Sequence, residues 1–117
     1  MEIKGRVWDA MRGQMSYDIT DLLVAIKNQQ ACDASGNKIF FPQLATGMED
    51  AQGKTIYEGD ICDGEYAGSS VGIYRNAIRW SETEHGFSFA GSPLWCWDYL
   101  KVVGNIYENP ELLKSLS

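Results

Sequence analysis

The sequence is poor in the residues that build metal sites and disulfide frameworks. It has a single histidine, His85, and three cysteines among 117 residues. Cys32, Cys62 and Cys96 are odd in number and widely separated, which fits neither paired disulfides nor the close spacing of zinc ligands. The cysteines therefore favour a reducing compartment, and the sequence predicts no metal and no cofactor.

Long apolar runs and a basic excess are also lacking. No stretch approaches the ~20 apolar residues that a membrane span requires, and residues 1–6 have no apolar secretory core. Acidic residues outnumber Lys and Arg by 16 to 10, which gives a formal net charge of −6. Because nucleic-acid binders usually carry basic side chains that neutralise phosphates, this charge disfavours DNA or RNA as a partner. We expect a cytoplasmic protein without membrane association.

What is present is the composition of a folded chain. Hydrophobic residues make up 44% of the sequence and aromatic residues 12%, while charged residues are limited to 22%. Such a composition favours a packed core over disorder, and a chain of this length needs no disulfide or metal to stabilise one. We therefore predict a single domain over residues 1–117.

Turn-forming residues concentrate in residues 50–61, DAQGKTIYEGDI. Asp50 and Gly53 stand at the first and fourth positions of a type I turn, and the residues after them favour a short strand. Gly59 and Asp60 then indicate a corner, because glycine permits left-handed backbone and aspartate accepts local amide hydrogen bonds. Strand, corner and strand in this order are typical of small SH3-like half-barrels, which is an argument from fold analogy.

A second segment has the same turn pattern, since residues 33–36 read DASG and residues 50–53 read DAQG. Internal duplication is one interpretation. The general preference of turns for Asp and Gly is the other, and it is the simpler one. Either way, the sequence predicts two hairpins that share one turn design.

Alternation of apolar and polar residues predicts a β-hairpin in the first twenty residues, with Ile3, Gly5 and Val7 on the covered face and Arg6 on the solvated one. For residues 20–29 the pattern favours a short helix with Thr20 as N-cap, and a buried strand is the alternative. Residues 64–72, rich in Gly and Ser, predict a surface loop. A phosphate-binding loop is disfavoured because the Gly-Lys-Ser/Thr ending is missing.

Aromatic residues concentrate near the end of the chain. Trp95, Trp97 and Tyr99 alternate, which predicts one face of a strand, and Trp80 ends the strand predicted for residues 73–80. These rings fit a buried core, a contact with a partner or second copy, or stacking on a small ligand. The contact interpretation makes Trp80, Trp95, Trp97 and Tyr99 a candidate interaction surface.

The end of the chain predicts a short helix. Asn109 suits the N-cap and Pro110 the first helical position. A helix of one or two turns is unstable alone, so it must dock on a sheet or another subunit.

Three blocks of the chain resemble the YopX family of small phage and prophage proteins. They are residues 3–9 (IKGRVWD), residues 43–48 (QLATGM) leading into residues 50–61, and residues 103–113 (VGNIYENPELL). Gly5 departs from the family pattern, where a bulkier residue stands, and residues 20–42 show no clear correspondence. The resemblance implies a mostly β fold with an SH3-like portion, an intracellular phage or prophage setting, and no assigned activity or catalytic residue.

The fold prediction is thus a mainly β (α+β) chain forming a small, partly open barrel with an SH3-like portion, an N-terminal hairpin and a short C-terminal helix. Its structural turns are expected at Asp50, Gly53, Gly59, Asp60, Asn109 and Pro110.

The chemistry that the sequence offers is sparse. Glu82, Glu84 and His85 are interpreted as a solvated turn, and Glu58 with Asp60 as amide-capping residues in place of an acid–base pair. We therefore predict a non-catalytic accessory protein that self-associates or binds a host protein.

The alternative is a small-barrel module associated with nucleic acid through Arg75, Arg79 and Lys101 beside the aromatic face. Acidic mimicry of DNA is a further hypothesis, and it requires carboxylates spaced along a surface.

Overall fold

The computed structural model describes residues 4–28, 30–66, 73–83 and 85–114. These residues form nine strands, two α-helices and one 3₁₀ helix, and the chain divides into two compact units between Ala45 and Thr46. The mainly β class is confirmed, with its N-terminal hairpin and short C-terminal helix. The elements are β1 (Gly5–Asp9), β2 (Gln14–Ser16), α1 (Ile19–Lys27), β3 (Phe40–Glu49), β4 (Thr55–Tyr57), β5 (Asp60–Tyr66), β6 (Tyr74–Ser81), β7 (Gly86–Phe89), β8 (Ser92–Pro93), β9 (Trp97–Asn105) and α2 (Glu111–Lys114).

Two sheets account for the strands. One has the order β2-β1-β3-β4, and the other has the order β8-β7-β6-β5-β9. The five-stranded sheet has two edges, at β8 and β9, and corresponds to the partly open barrel of the prediction. Neither helix in the described residues is long and apolar enough to cross a bilayer. The SH3-like character and the single-domain organisation stay predictions.

The N-terminal hairpin is confirmed. β1 pairs antiparallel with β2, from Val7 opposite Ser16 to Asp9 opposite Gln14. The Asp9 carboxylate accepts the Met11 and Arg12 amides at 3.0 and 3.1 Å and so closes the turn. Ile3, which the prediction placed on this strand, lies outside the described residues.

The predicted solvation of Arg6 is wrong. Its side chain is 2% exposed, and its Nε donates to Oε1 of Gln43 at 2.7 Å. The strand rule assumed one dry face, whereas the structure covers both faces of β1 here and supplies a buried amide partner for the guanidinium. The departure at Gly5 also has a reason: an added Cβ would lie 2.7 Å from the Gln43 carbonyl oxygen and 2.8 Å from Leu22 Cδ2.

The helix predicted for residues 20–29 is confirmed as α1, but its cap is wrong. Asp18, with extended backbone, is the N-cap and accepts the Thr20 amide at 2.7 Å, so Thr20 lies inside the helix. The carboxylate also favours the positive end of the helix dipole, which a threonine hydroxyl does less well. Leu22 and Ala25 are the buried residues of α1. Residue 29 lies outside the described residues.

The core of the C-terminal unit is one buried hydrophobic cluster, to which the five-stranded sheet contributes most of the side chains. The buried cluster contains residues from β4, β5, β6, β7 and β9, together with a 3₁₀ helix at Leu94–Cys96. Its members are Ile56, Cys62, Ile78, Phe89, Leu94, Trp97 and Leu100. β5 lies between β6 and β9, so the prediction of a loop from residue 64 is wrong for residues 64–66. Residues 67–72 of that predicted loop lie outside the described residues.

The corner between β4 and β5 has the predicted local bonding. Gly59 has a φ of +87°, and Asp60 is 2% exposed and accepts the Tyr57 amide at 2.8 Å. The Gly59 amide donates to the Ile78 carbonyl oxygen at 2.8 Å, and the Gly59 carbonyl oxygen accepts from the Ile106 amide at 2.9 Å. The corner therefore binds β6 and the segment after β9 through its backbone.

The C-terminal helix begins later than predicted. α2 starts at Glu111. As an N-cap, the Asn109 side chain was expected to accept a hydrogen bond from an amide of the helix, but it accepts one from the Asn105 amide at 3.2 Å. Asn109 instead caps through its backbone carbonyl, which accepts from Leu112 at 3.1 Å. The side chain serves the turn after β9 because Gly104, with no Cβ, leaves room for it.

Candidate interaction surface

Trp95 lies in the 3₁₀ helix between β8 and β9, where the chain leaves a tight hairpin. Ala90 and Gly91 both have positive φ, at +50° and +85°, and join Phe89 to Ser92 as the two-residue loop of a hairpin. The short helix then buries Leu94, which is 4% exposed, and turns Trp95 outward, where 80% of its surface is exposed. The predicted strand face for Trp95 is therefore wrong, because this residue precedes β9.

A surface depression of about 380 Å³ lies beside Trp95. Three separate segments of the C-terminal unit line it, and most of their side chains are apolar. The lining residues are Thr46, Met48, His85, Gly86, Phe87, Pro93, Leu94 and Trp95.

Trp80 extends this apolar lining. It lies opposite Phe87 in the pairing of β6 with β7, and the two rings make an edge-to-face contact at 5.3 Å and 84°. Trp80 is 49% exposed and Met48 is 38% exposed. Phe87 thus connects Trp80 to the depression. We refer to Met48, Trp80, Phe87 and Trp95 as the aromatic surface.

Trp97 and Tyr99 do not belong to this surface. Trp97 is 9% exposed and packs edge-to-face on Phe89 and Tyr74, at centroid distances of 4.5 and 5.5 Å. Opposite β5, Trp97 pairs with Tyr66 and Tyr99 pairs with Glu65, so Asp98 is an extra residue on β9. This bulge breaks the alternation and leaves Tyr99 37% exposed, outside the depression.

Comparison with known proteins places the chain in a family. The model of the family described as YopX protein matches residues 4–114. The chain belongs to the YopX family. Its fold is similar to the crystal structure of protein EF1440 from Enterococcus faecalis, with a TM-score of 0.58 and 21% sequence identity, covering 97% of this chain and 99% of that one. At this identity the likeness shows the fold alone. No curated protein matches the chain.

The two acidic residues of this YopX-family chain that were candidates for acid–base chemistry differ in their surroundings. Asp60 accepts the Tyr57 amide inside the corner, while burial raises the pKa of the neighbouring Glu58. His85, at a φ of +53°, lies in the lining of the depression. Within the described residues no three side chains of the His, Cys, Asp and Glu types lie together as metal ligands. Glu84 lies outside those residues.

The cysteines are free thiols in different environments. Cys32 is exposed, Cys96 is partly exposed and Cys62 is buried. Burial is the main cause that raises the pKa of the Cys62 thiol to about 12, and the negative charge of the nearby Asp60 carboxylate is the second. At neutral pH this cysteine is therefore a protonated, apolar core residue and a poor nucleophile.

The basic residues of the alternative hypothesis differ in availability. Arg75 makes a bidentate ion pair with Asp63, at 2.6 Å from Nε to Oδ1 and 3.0 Å from the terminal nitrogen to Oδ2. Arg79 is exposed and Lys101 is partly exposed. The pair with Asp63 neutralises the Arg75 charge on the sheet and reduces its availability to a phosphate.

A larger cavity, of about 590 Å³, lies in the N-terminal unit between the first hairpin and α1. Its carboxylates already have local hydrogen bonds. Asp9 closes the hairpin turn, Asp18 caps α1, and Asp21 accepts the Ser16 hydroxyl at 2.7 Å. These bonds explain the polar lining as capping of the hairpin and the helix, so we favour the aromatic surface as the candidate site.

The sequence could identify Trp80 and Trp95 as aromatic but could not group them with Met48 and Phe87. These four residues come from four separate segments, and only the pairing of β6 with β7 and the turn before Trp95 bring them together. One sequence feature does point to Phe87. A short polar connection of residues 81–86 between two aromatic-bearing strands predicts a hairpin that places Trp80 near Phe87.

Proposed function

We propose that this chain is a non-catalytic accessory protein, encoded by a phage or prophage, that acts in the cytoplasm of a bacterial host. It works by binding a host protein or a second copy of itself through the aromatic surface. The supporting observation is the 80% exposure of Trp95 beside a depression whose Phe87 contacts Trp80, which is itself 49% exposed. Clustered exposed apolar side chains mark interaction sites, and tryptophan is enriched among the residues that dominate binding energy.

The bonding of the acidic residues supports the non-catalytic part of this proposal. Asp50 and Asp60, the most buried carboxylates near the centre of the chain, accept backbone amides and so act as turn residues. Cys62 is held as a thiol by its raised pKa. A general base or nucleophile needs access to substrate, and Asp50, Asp60 and Cys62 are all buried.

Nucleic-acid association is the weaker proposal. The Arg75 guanidinium is paired with Asp63, and the formal net charge of −6 opposes phosphate binding. A mobility shift that weakens steeply with salt would favour nucleic acid over protein as the partner.

Affinity capture from a bacterial lysate tests the proposal when three baits are compared: the wild type, Trp95→Ala, and Ile73→Ala. Ile73 is 64% exposed in the same unit but does not line the depression, so its substitution is the matched control. We expect a protein that the wild type and Ile73→Ala retain and Trp95→Ala loses. Light scattering on the same samples detects association of the 13.1 kDa chain with itself.

The proposal fails if Trp95→Ala retains the same proteins as the wild type and both stay at 13.1 kDa. The non-catalytic part fails if the protein turns over a nucleotide or ester and substitution of His85 or Glu58 abolishes the turnover.

A further inference from the structure

The proposed function leaves the occupant of the depression open. Resting on that function, we infer that the depression beside Trp95 takes one aromatic side chain of a short, extended, basic segment of a partner protein, and not a second copy of this chain. The size of the aromatic surface, its charge environment, the neighbouring strand edges and the lining side chains each support this choice.

The aromatic surface is too small for a stable dimer. Trp95 and Trp80 are 80% and 49% exposed, and complete burial of one aromatic side chain removes about 150 to 250 Å² from water. The two rings together therefore supply at most roughly 320 Å². A stable interface buries about 800 Å² on each partner, so a second copy would gain too little area here. A segment of a few residues needs much less.

Charge also disfavours a second copy. Each chain carries a formal net charge of −6, so two copies repel one another at moderate salt. Glu49 follows the lining residue Met48, Glu82 precedes the turn that holds His85, and both side chains are exposed. Lysine or arginine beside the aromatic anchor would therefore meet complementary charge.

The strand edges of this unit favour recognition of a side chain over addition of a backbone strand. β8, the edge strand next to the depression, has two residues, and Pro93 has no amide hydrogen to donate. At the other edge, the turn at Asp50 occupies the Val102 amide and the Leu100 carbonyl of β9. A guest strand would find few free backbone groups at either edge.

The side chains that line the depression favour an aromatic side chain as the bound group. Phe87 and Trp95 offer ring edges and faces, and Met48 offers a thioether, which makes favourable contacts with rings. A volume of about 380 Å³ is at the small end of ligand sites, which suits one ring with its neighbouring backbone and excludes a whole helix.

Nuclear magnetic resonance titration tests this inference with three short peptides. The probe is acetyl-Gly-Lys-Phe-Lys-Gly-amide; one control replaces Phe with Ala, and the other replaces both Lys with Glu. The chain has four tryptophans, and each gives an indole N–H signal. We expect the Phe peptide to shift the Trp95 and Trp80 signals saturably, with a Kd of about 1 mM. The Trp97 signal, from a buried ring, should stay in place.

Variants then assign the site. Met48→Ala and Trp95→Ala should weaken binding by about ten-fold or more, as expected for residues at the centre of a contact, while Ile73→Ala should bind like the wild type. Trp95 and Met48 are both exposed in the free chain, so we expect both variants to fold.

Four results would overturn the inference. The first is no shift of the Trp95 signal by the Phe peptide up to about 5 mM, a range that covers weak single-anchor binding. The second is equal binding of the Ala peptide, and the third is equal binding of the Glu peptide. The fourth is a wild-type dimer that Trp95→Ala converts to monomer, which makes a second copy the occupant. That fourth result would contradict the inference but leave the proposed function intact. If the capture and light-scattering experiments find no partner and no self-association that depends on Trp95, both the inference and the proposed function fail.

Discussion

Two turns with almost the same sequence, residues 33–36 and 50–53, make the same local hydrogen bonds but differ in their bonds to distant parts of the chain. In the N-terminal unit, Asp33 Oδ1 accepts the Ser35 and Asn37 amides, both at 2.9 Å, and Gly36 has a φ of +84°. In the C-terminal unit, Asp50 Oδ1 accepts the amides of Gln52 and Lys54 at 2.9 and 2.8 Å, and Gly53 has a φ of +81°. The predicted common turn design is therefore confirmed.

The difference lies in what else each turn contacts. Asp33 is partly exposed, and its carboxylate bonds to the Ser35 and Asn37 amides stay within its own turn. Asp50 is 7% exposed; its second oxygen accepts the Val102 amide at 3.0 Å, and Ala51 donates to the Leu100 carbonyl at 2.8 Å. One local pattern thus serves as a simple hairpin loop in one place and as a tie to β9 in the other.

The largest expected effect comes from removing each aspartate. Asp50→Ala removes the carboxylate that accepts from the Gln52, Lys54 and Val102 amides. Because the Val102 amide is then left without a partner beside β9, we expect a loss of about 2 to 4 kcal/mol of stability. Asp33→Ala is the matched control and should have a much smaller effect, because water can replace the carboxylate. Urea unfolding measures both. Equal losses would show that the contact with β9 adds nothing.

The pH dependence is the next comparison, because the pKa of both aspartates is lowered, at Asp33 mainly by the hydrogen bond from the Asn37 amide. Burial alone would raise the pKa of Asp50, but the Val102, Lys54 and Gln52 amides outweigh it and hold the pKa below its usual value. A lowered folded-state pKa gives stability that is complete above the unfolded pKa, about 3.9, and is lost as the pH falls through the folded pKa. We therefore expect the wild type to lose this stability below about pH 4.

Asp50→Asn isolates that contribution. The amide group keeps one acceptor but turns a donor toward Val102, so it should cost about 1 to 3 kcal/mol at neutral pH and flatten the acid dependence. The control Asp33→Asn keeps the turn, since asparagine forms the same local bond. Unfolding free energies between pH 7 and pH 3 give the comparison. An Asp50→Asn curve parallel to the wild-type curve would contradict the role of this carboxylate.

The sequence was informative where bonding is local. The two Asp turns, the Gly59 corner, the first hairpin and the presence of α1 all depend on neighbouring residues, and the structure has each of them. Family membership was also accessible, because the blocks at the two ends and the middle of the chain carry the resemblance.

Errors arose where the environment of a residue comes from distant parts of the chain. The alternation of β1 indicated a solvated Arg6, but Gln43, far along the sequence, accepts its hydrogen bond. A single extra residue, Asp98, separated Trp97 from Tyr99, and the 3₁₀ helix separated Trp95 from both. Bulges and short helices of this kind follow from packing, so a strict period of two residues could not locate the aromatic surface.

The smallest effect should come from the glycines, where the two turns are most alike. A Cβ added to Gly36 meets no atom within 4 Å, and one added to Gly53 meets only Glu49 Oε2 at 3.9 Å, so backbone strain is the main cost in both turns. We expect Gly36→Ala and Gly53→Ala each to lose about 1 to 2 kcal/mol, with asparagine costing less at either position. Urea unfolding of the pair should give values within about 0.5 kcal/mol of each other, the usual error of such comparisons. A clearly larger loss for Gly53→Ala would mean that strain in this turn also displaces Asp50 from β9, so the local and distant bonds would then be coupled.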